Sequence, residues 1–322
     1  MLVLSSRDIE SVISYEEMIE AIERAYVIYE EGKYYMPDRF HVDYKNKTLL
    51  YMPCFLDDVF GTKILTVFPE NVEKKIPSLD GLMLLNDFET GKPTCLMDGK
   101  ILTALRTGAV GGVGIKYTTP EDVKTVGLIG AGVQGFYQVL YACKVRNFKK
   151  VYIFDEYVKD LTDFVDRLRK VIPTDVEIII CKSSEDLVRR SDVVITATTA
   201  TEPTMPNSTE LLRGKHFIGI GSYKPTMREY PDALSSLVED VYIDADIALE
   251  ETGDLIQPIA AGLLKNSQVK RISKLIASGG EIKDLEHKTT FFKTVGIAIF
   301  DIVAANAIYK KAVEAEVGYL LD

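Results

Sequence analysis

The sequence has few of the residues that build disulfide frameworks and metal centres. It contains four cysteines, three histidines and no tryptophan in 322 residues. The histidines are scattered, with no His-x-x-x-His pair and no acidic ligand cluster beside them, so we expect no metal site. Because the cysteines form no CxxC pair, we expect isolated thiols in a reducing cytoplasm. These cysteines are Cys54, Cys95, Cys143 and Cys181.

Long apolar runs and positive charge are also scarce. The longest near-apolar run, around Val295 to Ala307, is interrupted by Asp301, and the N-terminal apolar run is too short for a signal peptide. The formal net charge is −10, with no basic block. We therefore expect a cytoplasmic protein whose partners include neither nucleic acid nor membrane. Hydrophobic residues make up 47% of the chain, enough for a substantial core.

The first third of the chain reads as one helix followed by short strands. Ser14-x-x-Glu17 is a capping box, an apolar helical stripe follows it, and Gly32 is placed to end the helix. Short strand signals then follow one another without intervening helices, which predicts an antiparallel sheet. The predicted strands lie at 40–44, 48–52, 62–67, 82–85 and 94–97.

From Lys124 onward, apolar strands alternate with helices. This pattern predicts an α/β fold with a Rossmann-type, doubly wound parallel sheet. The segment TFFKTVGIAIFDIVAANAIYKKAVEA (290–315) reads as one long helix that returns to the first domain. We therefore predict a discontinuous α+β domain at 1–117 with 295–322, and a Rossmann domain at 118–294. The predicted strands are near 124–130, 151–155, 176–180, 192–198, 216–221 and 240–244, and the helices are near 133–145, 157–171 and 184–190.

A glycine motif, Gly130-x-Gly132-x-x-Gly135, joins a predicted strand to a predicted helix. In this setting the first glycine permits a tight turn, the second lets a pyrophosphate approach the backbone, and the third lets helix and strand pack closely. Val133 and Gln134 lie within the motif, at the helix N-terminus that favours phosphate. The motif predicts dinucleotide binding, while a ligand-free glycine turn and a methyl-donor site are the alternatives.

Asp155 ends the next strand, twenty residues after Gly135, and Glu156 follows it. A carboxylate there accepts hydrogen bonds from a ribose 2′-hydroxyl and repels a 2′-phosphate, which favours NAD(H) over NADP(H). The alternative is that Asp155 only caps the next helix. Thr198 and Thr199 follow the fourth Rossmann strand and either line a nicotinamide pocket or are ordinary turn residues.

The stretch KILTALRTGAVGGVG (100–114) places four glycines within a predicted helix. Each costs about 1 kcal/mol relative to alanine, so we expect this helix to pack closely against another element or a ligand. Arg106 sits beside these small residues. Its guanidinium could hold a carboxylate bidentately, and a structural ion pair is the competing interpretation.

Several motifs together resemble the ornithine cyclodeaminase/mu-crystallin family, in order and over nearly the whole chain. The resemblance implies a Rossmann domain, an N-terminal domain that binds substrate, and a homodimer built through the N-terminal sheets. The matching segments are Met52-Pro53, Gly61-Thr62-Lys63, Phe68-Pro69-Glu70-Asn71, LTALRTGA (102–109), GAGVQG (130–135), Gly221 to Glu229, and Thr294-Val295-Gly296.

Three cations are the substrate-binding residues that this resemblance implies. Arg39, Lys63 and Arg106 would hold a substrate carboxylate, and Lys63 would also donate a proton to the reacting nitrogen. Val295 is a further candidate cofactor contact. The alternatives are a strand-surface charge for Lys63 and a loop charge beside Asp38 for Arg39.

The chain departs from true cyclodeaminases at two positions. Those enzymes resemble Gly-Gly-Asp-x-Pro where this chain has Gly-Ser-Tyr-Lys-Pro with Tyr223, and they carry an acidic residue where it has Leu50. Because this chain has neither carboxylate, the second ammonium group of ornithine would lack its partners. Tyr223 either acts on the imine nitrogen, as a candidate catalytic residue, or packs as an aromatic.

We therefore expect an NAD(H)-dependent enzyme acting on the C–N bond of a small amino or imino acid. The favoured reaction is the reduction of a cyclic ketimine such as Δ1-pyrroline-2-carboxylate to proline. One alternative is an ornithine cyclodeaminase, which releases ammonia and uses NAD catalytically. Another is a non-catalytic, nicotinamide-dependent binder of the mu-crystallin type.

Overall fold

The computed structural model describes residues 1–74 and 76–321. The chain divides into two compact units: Met1–Arg106 with Ile297–Asp322, and Thr107–Gly296. The sequence-based boundaries were set at residues 117 and 295. The structural division falls at Arg106, inside a helix, so that helix contributes residues to both units.

The strands and helices of the described residues are numbered here in chain order. The strands are β1 (Leu2–Leu4), β2 (Phe40–Tyr44), β3 (Lys47–Phe55), β4 (Val59–Val67), β5 (Leu79–Asp87), β6 (Pro93–Asp98), β7 (Thr125–Ile129), β8 (Lys150–Phe154), β9 (Glu177–Ile180), β10 (Val193–Thr196), β11 (His216–Gly219), β12 (Val241–Ile243), β13 (Val269–Arg271), β14 (Thr290–Lys293) and β15 (Tyr319–Leu320). The helices are α1 (Ser6–Val12), α2 (Tyr15–Glu31), α3 (Gly99–Thr118), α4 (Val133–Val145), α5 (Thr162–Leu168), α6 (Ser184–Arg190), α7 (Thr209–Leu212), α8 (Asp232–Ser235), α9 (Ala248–Glu251), α10 (Gly253–Ala260), α11 (Ile272–Ala277) and α12 (Ala298–Glu314).

The first unit is built on a sheet with strand order β15-β1-β6-β5-β4-β3-β2. Strands β2 to β6 pair antiparallel, as the sequence predicts. The terminal strands β1 and β15 are additions that the sequence analysis did not predict. Helix α2 begins with the predicted capping box, in which the Ser14 and Glu17 side chains each accept the other's backbone N–H, and Gly32 ends it at φ 70°.

The two faces of this sheet differ in burial. One face packs against α12, and its side chains include the buried Leu50, Met52, Cys54 and Met83. The opposite face carries exposed apolar side chains. Some lie at alternate positions of β2, and others lie beside them on the neighbouring strands β3 and β5. These exposed residues are Phe40, Val42, Tyr44, Tyr51 and Leu82.

The second unit is a parallel sheet with strand order β13-β12-β14-β11-β10-β7-β8-β9. Every pairing in it is parallel, and helices connect most successive strands. This confirms the predicted doubly wound α/β fold. Because the strands are parallel, the loops at their carboxyl ends lie along one edge of the sheet.

The prediction of one helix over 290–315 is wrong. Residues Thr290–Lys293 form strand β14, which lies between β11 and β12, and α12 begins only at Ala298. All four residues of β14 are buried, so the strand shows no alternation that would separate it from a buried helix. Gly296, whose φ of 72° is left-handed, then separates β14 from α12.

The predicted helix near 157–171 is shorter in the structure and spans Thr162–Leu168. The Asp155 carboxylate accepts hydrogen bonds from the backbone N–H groups of Tyr157 and Val158, both at 2.9 Å. Such a side-chain-stabilised turn competes with helix formation and delays the start of the helix.

The glycines of α3 allow close packing within the second unit. A Cβ at Gly108 would lie 2.5 Å from Tyr141 Cδ2, and one at Gly111 would collide with Gln138 Oε1. A Cβ at Gly114 would collide with the ring of Phe292. The expectation that this helix packs closely on another element is confirmed, with α4 and β14 as the elements. No helix in the described part of the chain is long and apolar enough to cross a membrane.

Candidate functional site

The glycine loop of the second unit joins β7 to α4, as the motif predicts. Gly130 has φ 102°, and a Cβ there would lie 2.7 Å from Ala197 O. A Cβ at Gly135 would overlap Gly130 O, so this glycine lets α4 pack onto the loop. These two glycines are required by the fold itself.

Gly132 differs, because a Cβ there would meet no atom within 4 Å. It is the N-cap residue of α4, whose first turn, beginning at Val133 and Gln134, has no side-chain cap from Gly132. Open space beside uncapped N–H groups at a helix N-terminus fits a pyrophosphate. The loop therefore fits a dinucleotide, with Gly132, Val133 and Gln134 placed to hold its phosphates.

Asp155 lies beside this loop. Its Oδ2 accepts a hydrogen bond of 2.8 Å from the backbone N–H of Ala131, while Oδ1 serves the turn described above. The next helix, α5, has Leu161 as its N-cap, so Asp155 does not cap it. The carboxylate thus follows β8 and contacts the glycine loop, where a ribose hydroxyl would be recognised.

The other predicted cofactor residues lie at the same edge of the parallel sheet. Thr198 is half-buried and donates both its N–H and its Oγ1–H to Glu229 Oε1, each at 2.8 Å, whereas Thr199 is exposed. Val295 N donates to Asp244 Oδ2 at 2.9 Å. Tyr223 is 40% exposed, so it is not packed in the core.

The cation group lies in the first unit and centres on an aspartate. Lys63, on β4, is fully buried, and its Nζ lies 2.8 Å from Oδ1 of Asp301 on α12. Arg106 Nε lies 2.9 Å from the same oxygen. Asp301 is also fully buried, and its Oδ2 has no hydrogen-bond partner in the described chain. Lys63 is therefore no strand-surface charge, and Arg106 does form the ion pair considered above.

The sheet register places Arg39 near this group. Met52 pairs with Lys63 across β3 and β4, and Phe40 pairs with Tyr51, so Arg39 precedes β2 at the level of Met52. The charge of Arg39 also contributes to lowering the pKa of Lys63. The first unit thus brings together all three cations that the sequence proposed as a carboxylate site.

Burial dominates the electrostatics of Lys63. Desolvation lowers its pKa to about 7; the Asp301 carboxylate opposes this shift, and the Arg106 and Arg39 charges add to it. The Asp301 carboxylate contacts both Lys63 and Arg106, so two basic side chains share one acidic partner. Such a group suits a substrate carboxylate. A lysine with a pKa near neutrality is also able to exchange a proton during a reaction at neutral pH.

Asp301 was not predicted from the sequence as a site residue. It appeared only as an interruption of an apolar run, although that was a usable signal. An acidic residue in the middle of an apolar helix must be buried with a partner, because an unpaired buried charge is costly. Glu229, Asp244, Asp254 and Lys293 were missed as well, and all four are buried in the second unit.

Among residues 1–74 and 76–321, no three His, Cys, Asp or Glu side chains are grouped so as to hold a metal ion. The four cysteines are free, and burial raises the pKa of Cys54, Cys95 and Cys143 to about 12. The raised pKa values disfavour the reactive thiolate form at these three cysteines.

Residues 1–316 match the family model described as the ornithine cyclodeaminase/mu-crystallin family. A Δ1-pyrroline-2-carboxylate reductase of Bacillus cereus is 32% identical to the chain over 100% of both proteins.

Two solved structures resemble the whole chain. One is a Thermococcus litoralis Δ1-pyrroline-2-carboxylate reductase in complex with NADH and L-proline, with a TM-score of 0.93, 34% identity and 100% coverage of both chains. The other is an archaeal alanine dehydrogenase dimer with bound NAD, with a TM-score of 0.91, 27% identity, and coverage of 100% of this chain and 99% of that one.

Proposed function

The chain belongs to the ornithine cyclodeaminase/mu-crystallin family, and from this membership we propose that it is an NAD(H)-dependent oxidoreductase. Its favoured reaction is the reduction of the C=N bond of Δ1-pyrroline-2-carboxylate to give proline. The observation that carries this proposal is the full-length match to a reductase whose structure holds NADH and L-proline. The buried cation group supports it independently.

Arg39, Lys63 and Arg106 bind the substrate carboxylate in this proposal. The guanidinium of Arg106 is already oriented by Asp301, so little side-chain freedom is lost when the substrate binds. Lys63 and Arg106 share one oxygen of Asp301, and the substrate α-carboxylate supplies a second anionic partner for these side chains. Fixing the carboxylate also fixes the neighbouring imine carbon, which is what a positioned reaction requires.

Lys63 supplies the proton. Reduction of an imine adds a hydride to carbon and a proton to nitrogen, and NADH, when bound, supplies the hydride. The pKa of Lys63, about 7, lets Nζ release its proton near neutral pH. Asp301 then remains next to the neutral amine and favours its reprotonation. Tyr223 is the second candidate for contact with the substrate nitrogen, since its side chain is partly exposed.

The cofactor site consists of Gly130, Gly132, Val133, Gln134, Gly135, Asp155, Thr198, Thr199 and Val295. We infer a preference for NADH over NADPH from Asp155, because its carboxylate would repel a 2′-phosphate. The exposed side chain of Glu156 adds a second negative charge there.

An ornithine cyclodeaminase is disfavoured by two positions. Leu50 is an apolar, buried side chain, and Tyr223 has a phenol where the cyclodeaminases carry a carboxylate. Neither would pair with a second ammonium group.

We further propose a homodimer and a cytoplasmic location. The exposed apolar face of the first sheet, with Phe40, Val42 and Tyr44 on an edge strand, is suited to a second copy of this chain. One structurally similar relative is a dimer. The four cysteines are free and three of them are buried, which suits a reducing compartment.

The proposal is tested by mixing purified protein with NADH and Δ1-pyrroline-2-carboxylate, with an NAD-plus-ornithine ammonia assay in parallel. We expect NADH loss with equimolar proline, slower turnover with NADPH, and no ammonia from ornithine. Ammonia and proline from ornithine without net NADH change would instead identify a cyclodeaminase. Tight ligand binding without turnover would identify a binder.

A further inference from the structure

A group of buried charges underlies the carboxyl edge of the parallel sheet in the second unit. Glu229 and Lys293 are fully buried, and Asp254 is 3% exposed. Lys293 Nζ lies 3.5 Å from Asp254 Oδ2, and Asp254 Oδ1 accepts the backbone N–H groups of Glu229 and Tyr230. Buried charges are costly, so this arrangement calls for a specific role.

Glu229 connects two loops at that edge. Its Oε1 accepts the N–H and Oγ1–H of Thr198, in the loop after β10. Its Oε2 accepts the N–H groups of Gly221 at 2.8 Å and Ser222 at 3.1 Å, in the loop after β11. A single carboxylate therefore receives four hydrogen bonds from two separate loops, and this requires that both of its oxygens be acceptors.

The two loops belong to one half of the dinucleotide site. The glycine loop follows β7, and Asp155 follows β8 on one side of it. Strands β10 and β11 lie on the other side of β7, which in a doubly wound sheet holds the second nucleotide. With Asp155 on the adenosine side, the loops that Glu229 joins lie on the nicotinamide side.

We propose that Glu229 is a positioning residue for the nicotinamide half of the cofactor site. By holding the loops after β10 and β11 together, it pre-forms the surface that the nicotinamide ring contacts, and it leaves the adenosine half unaffected. Asp254 accepts the backbone N–H of Glu229, and the positive charge of Lys293 favours the ionised form of the Glu229 carboxylate. The inference rests on the proposed NADH-dependent reduction.

The central variant is Glu229→Gln. A glutamine presents one oxygen and one NH2 group, so two of the four donors lose their acceptor and face another donor. In this variant the two loops are less ordered before the cofactor binds. The free energy needed to order them is then taken from the binding free energy of NADH, so binding is weaker. We expect NADH to bind roughly 10- to 100-fold more weakly. ADP-ribose, which lacks the nicotinamide, should bind as it does to the unmodified protein.

A matched control exists at the opposite edge of the same sheet. Asp192 Oδ2 accepts the backbone N–H groups of Lys124 and Thr125, at 2.8 and 2.9 Å. The Asp192→Asn variant removes a similar carboxylate from the amino edge, and it should bind both NADH and ADP-ribose normally. A second variant, Glu229→Asp, keeps the carboxylate but draws both of its oxygens away from the two loops, so it should weaken NADH binding and leave ADP-ribose binding unchanged.

The experiment measures NADH binding by fluorescence and ADP-ribose binding by calorimetry, with the unfolding temperature of each variant recorded. Selective loss of NADH affinity in Glu229→Gln, or in Glu229→Asp if the first variant does not fold, supports the inference. Equal loss of both ligands, or no loss of either, overturns it. If the unmodified protein binds neither ligand, the proposed function itself fails.

Discussion

Lys63 Nζ and Asp301 Oδ1 are 2.8 Å apart, and both residues are fully buried. They lie 238 residues apart in sequence, one on a central strand of the first sheet and the other on the helix that covers it. Arg106 shares the same aspartate oxygen. An ion pair with this degree of burial is costly to build, and the proposed binding of substrate and transfer of a proton give it a role.

Replacing Lys63 with methionine should abolish most catalysis. Methionine fills similar space without a proton to donate, so we expect kcat to fall by roughly 10²- to 10⁴-fold. NADH affinity should stay unchanged, because the glycine loop is untouched. The control is Lys100→Met, which removes a surface lysine that pairs with Asp80 at 3.3 Å in the same unit. Steady-state kinetics of proline formation measure this effect. An unchanged kcat in Lys63→Met would contradict the proposed role.

The pH dependence of imine reduction should report Lys63. The protonated amine is the donor, so the rate should fall as pH rises through about 7. Asp301 raises the pKa of Lys63 and Arg106 lowers it, so Asp301→Asn should move the falling limb to lower pH and Arg106→Met to higher pH. Profiles of kcat measure this limb. Shifts in the same direction would argue against Lys63 as the titrating group.

Gly132 and Gly135 should respond differently to alanine. The added methyl at Gly132 meets no protein atom, so Gly132→Ala should keep its unfolding temperature and lose NADH affinity by about tenfold or more. The methyl at Gly135 overlaps Gly130 O, so Gly135→Ala should lower the free energy of unfolding by roughly 1–3 kcal/mol. Thermal unfolding and NADH titration separate the two effects. Unchanged NADH binding in Gly132→Ala would rule out pyrophosphate at this loop.

Asp155 should control the choice of cofactor. Asp155→Asn keeps an acceptor for the local turn and removes the negative charge, so the kcat/KM ratio of NADH over NADPH should fall by about tenfold or more. The exposed neighbour provides a control, since Glu156→Gln should change this ratio much less. A ratio that is unaltered in Asp155→Asn would show that the preference has another source.

Local signals in the sequence were sufficient for much of the fold. Helix α4 spans the predicted residues Val133–Val145, because a glycine loop marks its start and an apolar stripe marks its extent. The capping box at Ser14 likewise fixes the start of α2. By contrast, β14 is buried on both faces and so lacks the alternation that identifies a strand.

The candidate site was only partly predictable for a related reason. Arg39, Lys63 and Arg106 lie in recognisable motifs, whereas Asp301 is defined by a partner 238 residues away. The role of Glu229 likewise depends on hydrogen bonds from the loops after β10 and β11, which only the folded chain brings together. Contacts between distant segments depend on the folded topology, and a single sequence gives no pairing information of this kind.

The most direct test of the account is isotope transfer from NADH deuterated at the nicotinamide C4 position that the enzyme uses. The protein is incubated with this cofactor and Δ1-pyrroline-2-carboxylate, and the proline formed is analysed by mass spectrometry and NMR. The account predicts proline that carries one deuterium at C2. The proposed reduction is contradicted if no proline forms. It is also contradicted if the proline carries only solvent hydrogen at C2, whichever of the two C4 hydrogens of NADH is replaced by deuterium.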